Sequence, residues 1–230
     1  MTAERRYGEA CPVAHALDVI GDRWALLVVR ELRLGPRRYS DLQTALPGAG
    51  PNVLTRRLRD LEAGGVLTRR TLPPPAAAQV YELTPWGADL EPVFRALARW
   101  GVGSPVPREG RLTADSVMLG LRTFFDADRV PRPWTALFEF RLDRHVFRLR
   151  VENGRLTELA RGPADTPDVV VAGPQAQVQA VLDGAPPWDR VSVTGDPALL
   201  DRLLRASRPT SSGAPAPADL TPGPGGPSGT

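Results

Sequence analysis

The sequence contains no lysine, so all 29 of its basic side chains are arginines. It also has only one cysteine and two histidines. A lone cysteine cannot form an internal disulfide bond, and we therefore expect a reducing, cytoplasmic location. His15, His145 and one thiol are too few to build a Cys/His metal cluster. We expect neither a metal nor another cofactor.

Long apolar runs are missing as well. Residues 1–10 are polar and carry no apolar signal region, and no run approaches the roughly 20 apolar residues that a membrane helix needs. No motif marks a Ser-His-acid set, and isolated glycines such as Gly87 and Gly154 form no phosphate-binding loop. We expect no membrane segment, no catalytic residue and no enzymatic activity.

The positive charge is local. The formal net charge is only +3, although the sequence pI is about 9.7. Arginine suits bidentate contacts with phosphate and guanine. The codon bias of a GC-rich genome is the favoured explanation for the replacement of lysine and for the many alanines, prolines and glycines. The length of 230 residues allows two modest domains.

The central pattern is a helix predicted over residues 51–63. Leu54, Leu58 and Leu61 recur there at helical spacing, and Pro51 suits the first helical position. Taken alone, this pattern is also typical of a surface helix with a solvated basic face.

The segments on either side favour a more specific arrangement. The Ser-Asp-Leu-Gln sequence at 40–43 resembles a capping box that opens a short helix, and the Pro-Gly-Ala-Gly sequence at 47–50 breaks the chain. This order predicts a helix-turn-helix, whose second helix enters a DNA major groove. Two strand-like segments follow, at 66–72 and 79–84, with a proline-rich turn between them. They predict the two-stranded wing of a winged helix.

Further helices complete this unit. One begins at Pro12 with Cys11 in the cap position, a second covers residues 23–34, and a third runs from the Thr84 cap to Trp100.

Seven short motifs, in order, carry a resemblance to a known family: Cys11-Pro12-Val13, Ile20-Gly21-Asp22-Arg23-Trp24, Gly35-Pro36-Arg37-Arg38-Tyr39, Asp41-Leu42, Val53-Leu54-Thr55-Arg56-Arg57-Leu58, Leu61-Glu62 and Tyr81-Glu82-Leu83-Thr84-Pro85-Trp86-Gly87. Together they resemble the HxlR-type winged helix-turn-helix transcriptional regulators of bacteria. The resemblance implies a homodimer held by the first and last helices of this domain. It also implies that the helix over 51–63 reads the major groove of an operator.

Two departures from the family pattern concern DNA contact. The wing tip at 73–78 is Pro-Pro-Pro-Ala-Ala-Ala rather than basic, and Gly50 stands where a hydroxyl cap is common. We therefore expect the wing to add little to binding.

The second half of the chain predicts a separate α+β domain. Residues 102–110 have the composition of a linker. Residues 111–208 contain five strand patterns and three helix patterns, which predict a mostly antiparallel sheet. Residues 209–230 hold almost no large apolar side chain and should be disordered. The fold class is thus α+β, with a winged helix-turn-helix domain over residues 10–101 followed by this second domain.

The segments at 167–171, 181–184 and 191–196 resemble the sterol-carrier-protein-like lipid-binding fold. That resemblance implies an apolar cavity for a small apolar effector. Its candidate lining is a set of aromatic residues: Phe124, Phe125, Trp134, Phe138, Phe140, Phe147 and Trp188. The alternative is that these aromatics simply fill the core, since a domain this small needs most of them for packing.

The candidate DNA contacts lie in a basic region. Residues 37–70 hold seven arginines and three acidic residues, an excess of four positive charges. We expect four side chains of the central helix to face the groove: Asn52, Thr55, Arg56 and Arg57. We expect the remaining contacts to bind phosphates: Arg37, Arg38, Ser40, Arg59, Arg69 and Arg70.

Cys11 is a second candidate site. A thiol at a helix N-terminus meets the positive end of the helix dipole, which favours the thiolate. In the family that this chain resembles, some members sense oxidants or electrophiles through a cysteine here. The alternative is a small buried side chain near the dimer interface.

The function predicted from the sequence is therefore a cytoplasmic, dimeric transcriptional regulator that binds a pseudo-palindromic operator in double-stranded DNA. Its control would come from an apolar effector or from modification of Cys11. The alternative is a lipid-binding or carrier protein whose winged helix mediates protein contacts.

Overall fold

The computed structural model describes residues 7–107, 109–131, 133–183 and 191–208. The first unit contains six helices and a two-stranded sheet: α1 Pro12–Ile20, α2 Ala25–Leu32, α3 Tyr39–Ala45, α4 Pro51–Ala63, β1 Leu67–Thr71, β2 Gln79–Leu83, α5 Pro85–Ala88 and α6 Glu91–Val102. β1 and β2 pair antiparallel, as predicted for the wing. Among the described helices, none is long and apolar enough to cross a bilayer.

Three helix boundaries differ from the sequence prediction. α2 begins at Ala25 rather than residue 23, because Trp24 adopts a left-handed backbone with φ of +81°. α3 begins at Tyr39, and the Asp41 carboxylate accepts the backbone N–H of Arg38, so the cap lies before Ser40.

The helix predicted from Thr84 to Trp100 is in fact two helices, α5 and α6. The Thr84 hydroxyl accepts the Gly87 N–H and caps α5 as expected. Pro92 lies in the first turn of α6. A proline there has no N–H to donate, and its ring would clash with the carbonyl of the preceding turn in a continuous helix. The break therefore has a local cause.

The second unit contains five strands and three α-helices among its described residues: α7 Ala114–Phe124, β3 Ala136–Leu142, β4 His145–Glu152, β5 Arg155–Arg161, β6 Val169–Gly173, α8 Gln175–Leu182, β7 Ser192–Gly195 and α9 Pro197–Ser207. The strand order is β5-β4-β3-β6-β7. Every adjacent pair is antiparallel except β3 and β6, which are parallel. The mostly antiparallel sheet is thus present, with one parallel pair.

The hairpin between β4 and β5 follows from its two turn residues. Asn153 and Gly154 have φ of +52° and +70°. A two-residue type I′ turn requires positive φ at both positions, and Asn-Gly is the sequence that adopts it most readily.

The candidate pocket aromatics contribute to the core of this unit. Phe138, Phe140 and Phe147 are almost fully buried, and Phe125 and Trp134 are buried beside them. Trp134 meets Phe138 edge to face at 6.5 Å, and Phe138 stacks on Phe140 at 6.2 Å.

The other two aromatics differ from this group. Phe124 is half-buried. Trp188 lies outside the described residues, as does the predicted tail at 209–230.

The two units share an interface. Leu34, which follows α2, is 2% exposed and belongs to the apolar core of the second unit. Beside it, Arg161 of β5 binds the Asp115 carboxylate of α7 at 2.6 Å. Arg37 of the first unit also binds Asp115. Glu31 of α2 is fully buried at the same junction, where its Oε1 accepts the Arg30 guanidinium.

The two junction carboxyls have opposite pKa shifts. Burial raises the pKa of Glu31, whereas the guanidinium groups of Arg161 and Arg37 hold the pKa of Asp115 below its ordinary value. A raised carboxyl pKa stabilises the fold at low pH, and that contribution is lost as the pH rises. A lowered one contributes above the ordinary pKa and is lost on acidification.

We therefore expect Glu31→Gln to gain thermal stability relative to the wild type as the pH rises above 4.5, the ordinary value for glutamate. Asp115→Asn should instead be most destabilised at neutral pH and approach the wild type below 3.8, the ordinary value for aspartate. Unfolding temperatures measured from pH 3 to 8 check both. A difference between Glu31→Gln and wild type that is independent of pH would contradict the buried environment of Glu31.

Candidate nucleic-acid interface

The helix-turn-helix is formed by α3 and α4, and apolar contacts orient it. Leu54, Leu58 and Leu61 of α4 are buried in the core of the first unit, as their spacing predicted. The turn between the helices contains Gly48, whose position for a Cβ lies 2.7 Å from the Trp24 ring. A larger residue would displace that ring, so glycine is required here by close packing.

Tyr39 joins the two helices by hydrogen bonds. Its hydroxyl donates to the Pro51 carbonyl at 3.1 Å and accepts from the Thr55 hydroxyl at 3.3 Å. These bonds fix the N-terminal end of α4 against α3. Tyr39 is absent from the predicted DNA contacts, because a tyrosine at the start of a helix has no distinctive local signal.

The face of α4 opposite the leucines is polar and accessible. Asn52, Arg56 and Arg59 are exposed, and Thr55 is half-buried. The Arg56 side chain is 62% exposed and lies 3.8 Å from Asp60, an i,i+4 pair with little energetic constraint. Three of the four predicted groove-facing residues therefore lie on or beside the solvent face.

Arg57, the fourth, does not. It is 9% exposed and pairs with Asp22 in the turn before α2 and with Asp60 at 3.1 Å. Position 57 is three residues after Leu54, so it falls on the buried stripe rather than on the polar face. The expectation that Arg57 faces a DNA groove is wrong for this structure. The i,i+3 spacing in the sequence could have shown this.

Arg37 also differs from the expectation of a phosphate contact. Its side chain is 14% exposed and lies between Asp115 and Glu31 at the junction of the two units. Arg38 and Ser40, by contrast, are exposed at the start of α3. The predicted phosphate contacts near residue 38 therefore reduce to these two side chains.

The wing arginines are ion-paired at the surface. Arg69 binds Glu62 of α4 at 2.9 Å, and Arg70 binds Glu82 of β2 at 2.7 Å. Both side chains remain more than 40% exposed. Surface pairs of this kind are worth about 0–1 kcal/mol, so they exchange readily for a phosphate.

Cys11 lies at the N-cap position of α1, as predicted. Its backbone is extended and its side chain is half-buried. The backbone N–H groups of Ala14 and Val13 lower the pKa of the Cys11 thiol. In the described parts of the chain, no group of three or more His, Cys, Asp or Glu side chains is placed to hold a metal.

An apolar groove of about 610 Å³ lies between α1, α2 and α6. Its lining includes Leu17, Leu27, Val93 and Leu97, all large apolar side chains that are exposed on the isolated chain. Trp100 of α6 is 78% exposed. Contiguous exposed apolar surface of this kind is typical of a protein–protein interface.

Comparison with known proteins places the first unit in a family. The family described as HxlR-like helix-turn-helix matches residues 19–106. The HTH-type transcriptional regulator sll1512 of Synechocystis sp. is 39% identical over 94 residues, which cover 41% of this chain and 70% of that protein. The regulator YvaP of Bacillus subtilis is 36% identical, over 40% of this chain and 86% of that protein.

Among solved structures, the redox regulator HypR in its oxidized form is 31% identical, with a TM-score of 0.39. It matches 42% of this chain and 100% of that one. The family match covers most of the winged helix, and each of the two regulators matches about 40% of this chain. Through residues 19–106, this chain belongs to the HxlR-like helix-turn-helix family of transcriptional regulators.

Proposed function

We propose that this protein is a dimeric transcriptional regulator that binds a pseudo-palindromic operator through α4. The observation that supports this most directly is the polar face of α4, where Asn52, Arg56 and Arg59 are exposed while the leucines opposite them are buried. A helix held in this way can enter a major groove with its own fold undisturbed. We place this activity in the cytoplasm.

Arg56 should contact bases, and Arg38 should contact phosphate. Arg56→Ala is expected to weaken operator binding by about 1–3 kcal/mol and random DNA much less, because a bidentate guanine contact is sequence-specific. Arg38→Ala should weaken both alike and reduce the salt slope by about one. Anisotropy titrations on a selected operator and on random DNA at several salt concentrations measure both effects.

Arg205→Ala is the matched control, because Arg205 is an exposed arginine of α9 that pairs with Asp201 on the same helix. Equal losses for Arg56→Ala and Arg38→Ala on both DNAs would contradict these assignments. Wild-type protein that shows no salt-dependent duplex binding would favour the alternative of a carrier protein whose winged helix binds proteins.

The homodimer is proposed to form across the groove of α1, α2 and α6, because two copies would cover its exposed apolar side chains. Leu97→Glu places a charge in this groove and should give monomers in sedimentation measurements. Operator affinity should fall as well, because a monomer binds only one half-site. Leu112→Glu is the control, since Leu112 is a similarly exposed leucine of the second unit. A stable Leu97→Glu dimer would contradict this interface.

Cys11 is proposed as a second means of control. Because its thiol pKa is lowered by backbone N–H groups, more thiolate is present at neutral pH and alkylation should be faster than in the unfolded chain. The pH dependence of N-ethylmaleimide reaction, compared between folded and denatured protein, measures the shift. Equal midpoints would contradict it. Loss of operator binding after alkylation, with Cys11→Ser unaffected, would connect the thiol to regulation.

Control by an apolar effector stays a prediction. The sterol-carrier-like resemblance of the second unit has no support from the family match, which ends at residue 106. The packing of Phe138 and Phe140 at 6.2 Å favours a filled core at their position.

A further inference from the structure

Side chains of the second unit bind a short segment of the winged helix, residues 31–37. The guanidinium of Arg161 donates to the Glu31 carbonyl at 2.8 Å and to the Gly35 carbonyl at 3.2 Å. The same guanidinium binds Asp115 at 2.6 Å. One side chain from the end of β5 therefore binds one carbonyl in the last turn of α2 and another in the connection between α2 and α3.

This segment leads directly into the helix-turn-helix. The side chain of Arg37 is held by Asp115, while its backbone exchanges hydrogen bonds with Tyr81 of β2 at 2.9 and 2.8 Å. The next residue, Arg38, is the N-cap of α3. Arg38 alone thus separates Arg37, whose side chain binds Asp115 of the second unit, from α3, the first helix of the DNA-binding motif.

Besides the apolar contact of Leu34, the junction contains a buried charge network. Glu31 and Asp115 are 0% and 4% exposed, and Arg30, Arg37 and Arg161 surround them. Glu31 Oε2 has no hydrogen-bond partner among the described residues. Removing one member of such a network leaves uncompensated buried charge, so partial separation is unfavourable. The junction therefore favours two discrete states, docked and undocked.

We infer that Arg161 is a positioning residue for DNA binding and that the docked state is the one competent to bind the operator. This inference rests on the proposed function. The second unit acts through Arg161 and Asp115 on the connection that places α3, and Arg161 itself touches no DNA. By reciprocity, operator binding strengthens docking to the same degree that docking strengthens operator binding.

Arg161→Ala in the full chain tests this. Its operator affinity should fall about fivefold or more, the lower end of coupling between sites. The slope of log affinity against log salt should stay that of the wild type, because no phosphate contact is lost. Amide hydrogen exchange at Arg37 and Tyr81 should accelerate by a similar factor, as the strand contact between them loosens. Arg161→Lys keeps the positive charge but loses the planar guanidinium. Its operator affinity and exchange rates should therefore lie between those of the wild type and Arg161→Ala.

Arg150→Ala is the matched control, because Arg150 lies on the same sheet and its ion pairs among the described residues are with Glu152 and Glu158 of its own unit. It should leave affinity and exchange unchanged. If Arg161→Ala fails to fold, Asp115→Asn provides the same readouts with an isosteric change. Wild-type operator affinity in a folded variant, or tighter binding, would overturn the inference. If the wild type binds no DNA, the proposed function fails, while the exchange measurement still tests the docking.

Discussion

The burial of the leucine face of α4 determines which side chains of that helix remain exposed for contact with DNA. Each buried leucine contributes about 1.5–3 kcal/mol, whereas a surface ion pair contributes about 0–1 kcal/mol. The burial of Leu54, Leu58 and Leu61 therefore fixes the rotation of α4 about its axis. That rotation in turn determines whether each arginine is exposed or buried. Arg56 and Arg59 fall on the solvent side, and Arg57 falls among the leucines.

Because the chain has no lysine, arginine serves both structural and surface roles. Arg57 and Arg37 are largely buried side chains that pair with carboxylates of other elements and fix the relative positions of those elements. Arg38 and Arg56 are free of such strong constraint and face water. Composition cannot distinguish these classes, because burial depends on the partner that each guanidinium finds in the fold.

Much of the fold follows from local pattern. The bounds of α4, the two wing strands and the five strands of the second unit were predicted, because periodicity and turn chemistry act over a few residues. The break between α5 and α6 was missed, although Pro92 was a local signal for it.

Other features could not be read from local pattern. The parallel pairing of β3 with β6 and the burial of Arg37 depend on residues far apart in sequence. At the candidate interface, the exposed face of α4 and the burial of Arg57 could be predicted from helical spacing, whereas the role of Tyr39 depends on tertiary contacts.

Leu34 lies in the first unit by sequence but packs in the apolar core of the second unit. It lies inside the stretch shared with the regulator family, yet its side chain completes the interior of the unit beyond that stretch. In a polypeptide truncated after residue 106, the side chain of Leu34 and the carboxyl of Glu31 beside it would be exposed to water. The similarity to the family therefore ends at residue 106, whereas the cooperatively folded structure that includes Leu34 continues beyond that residue.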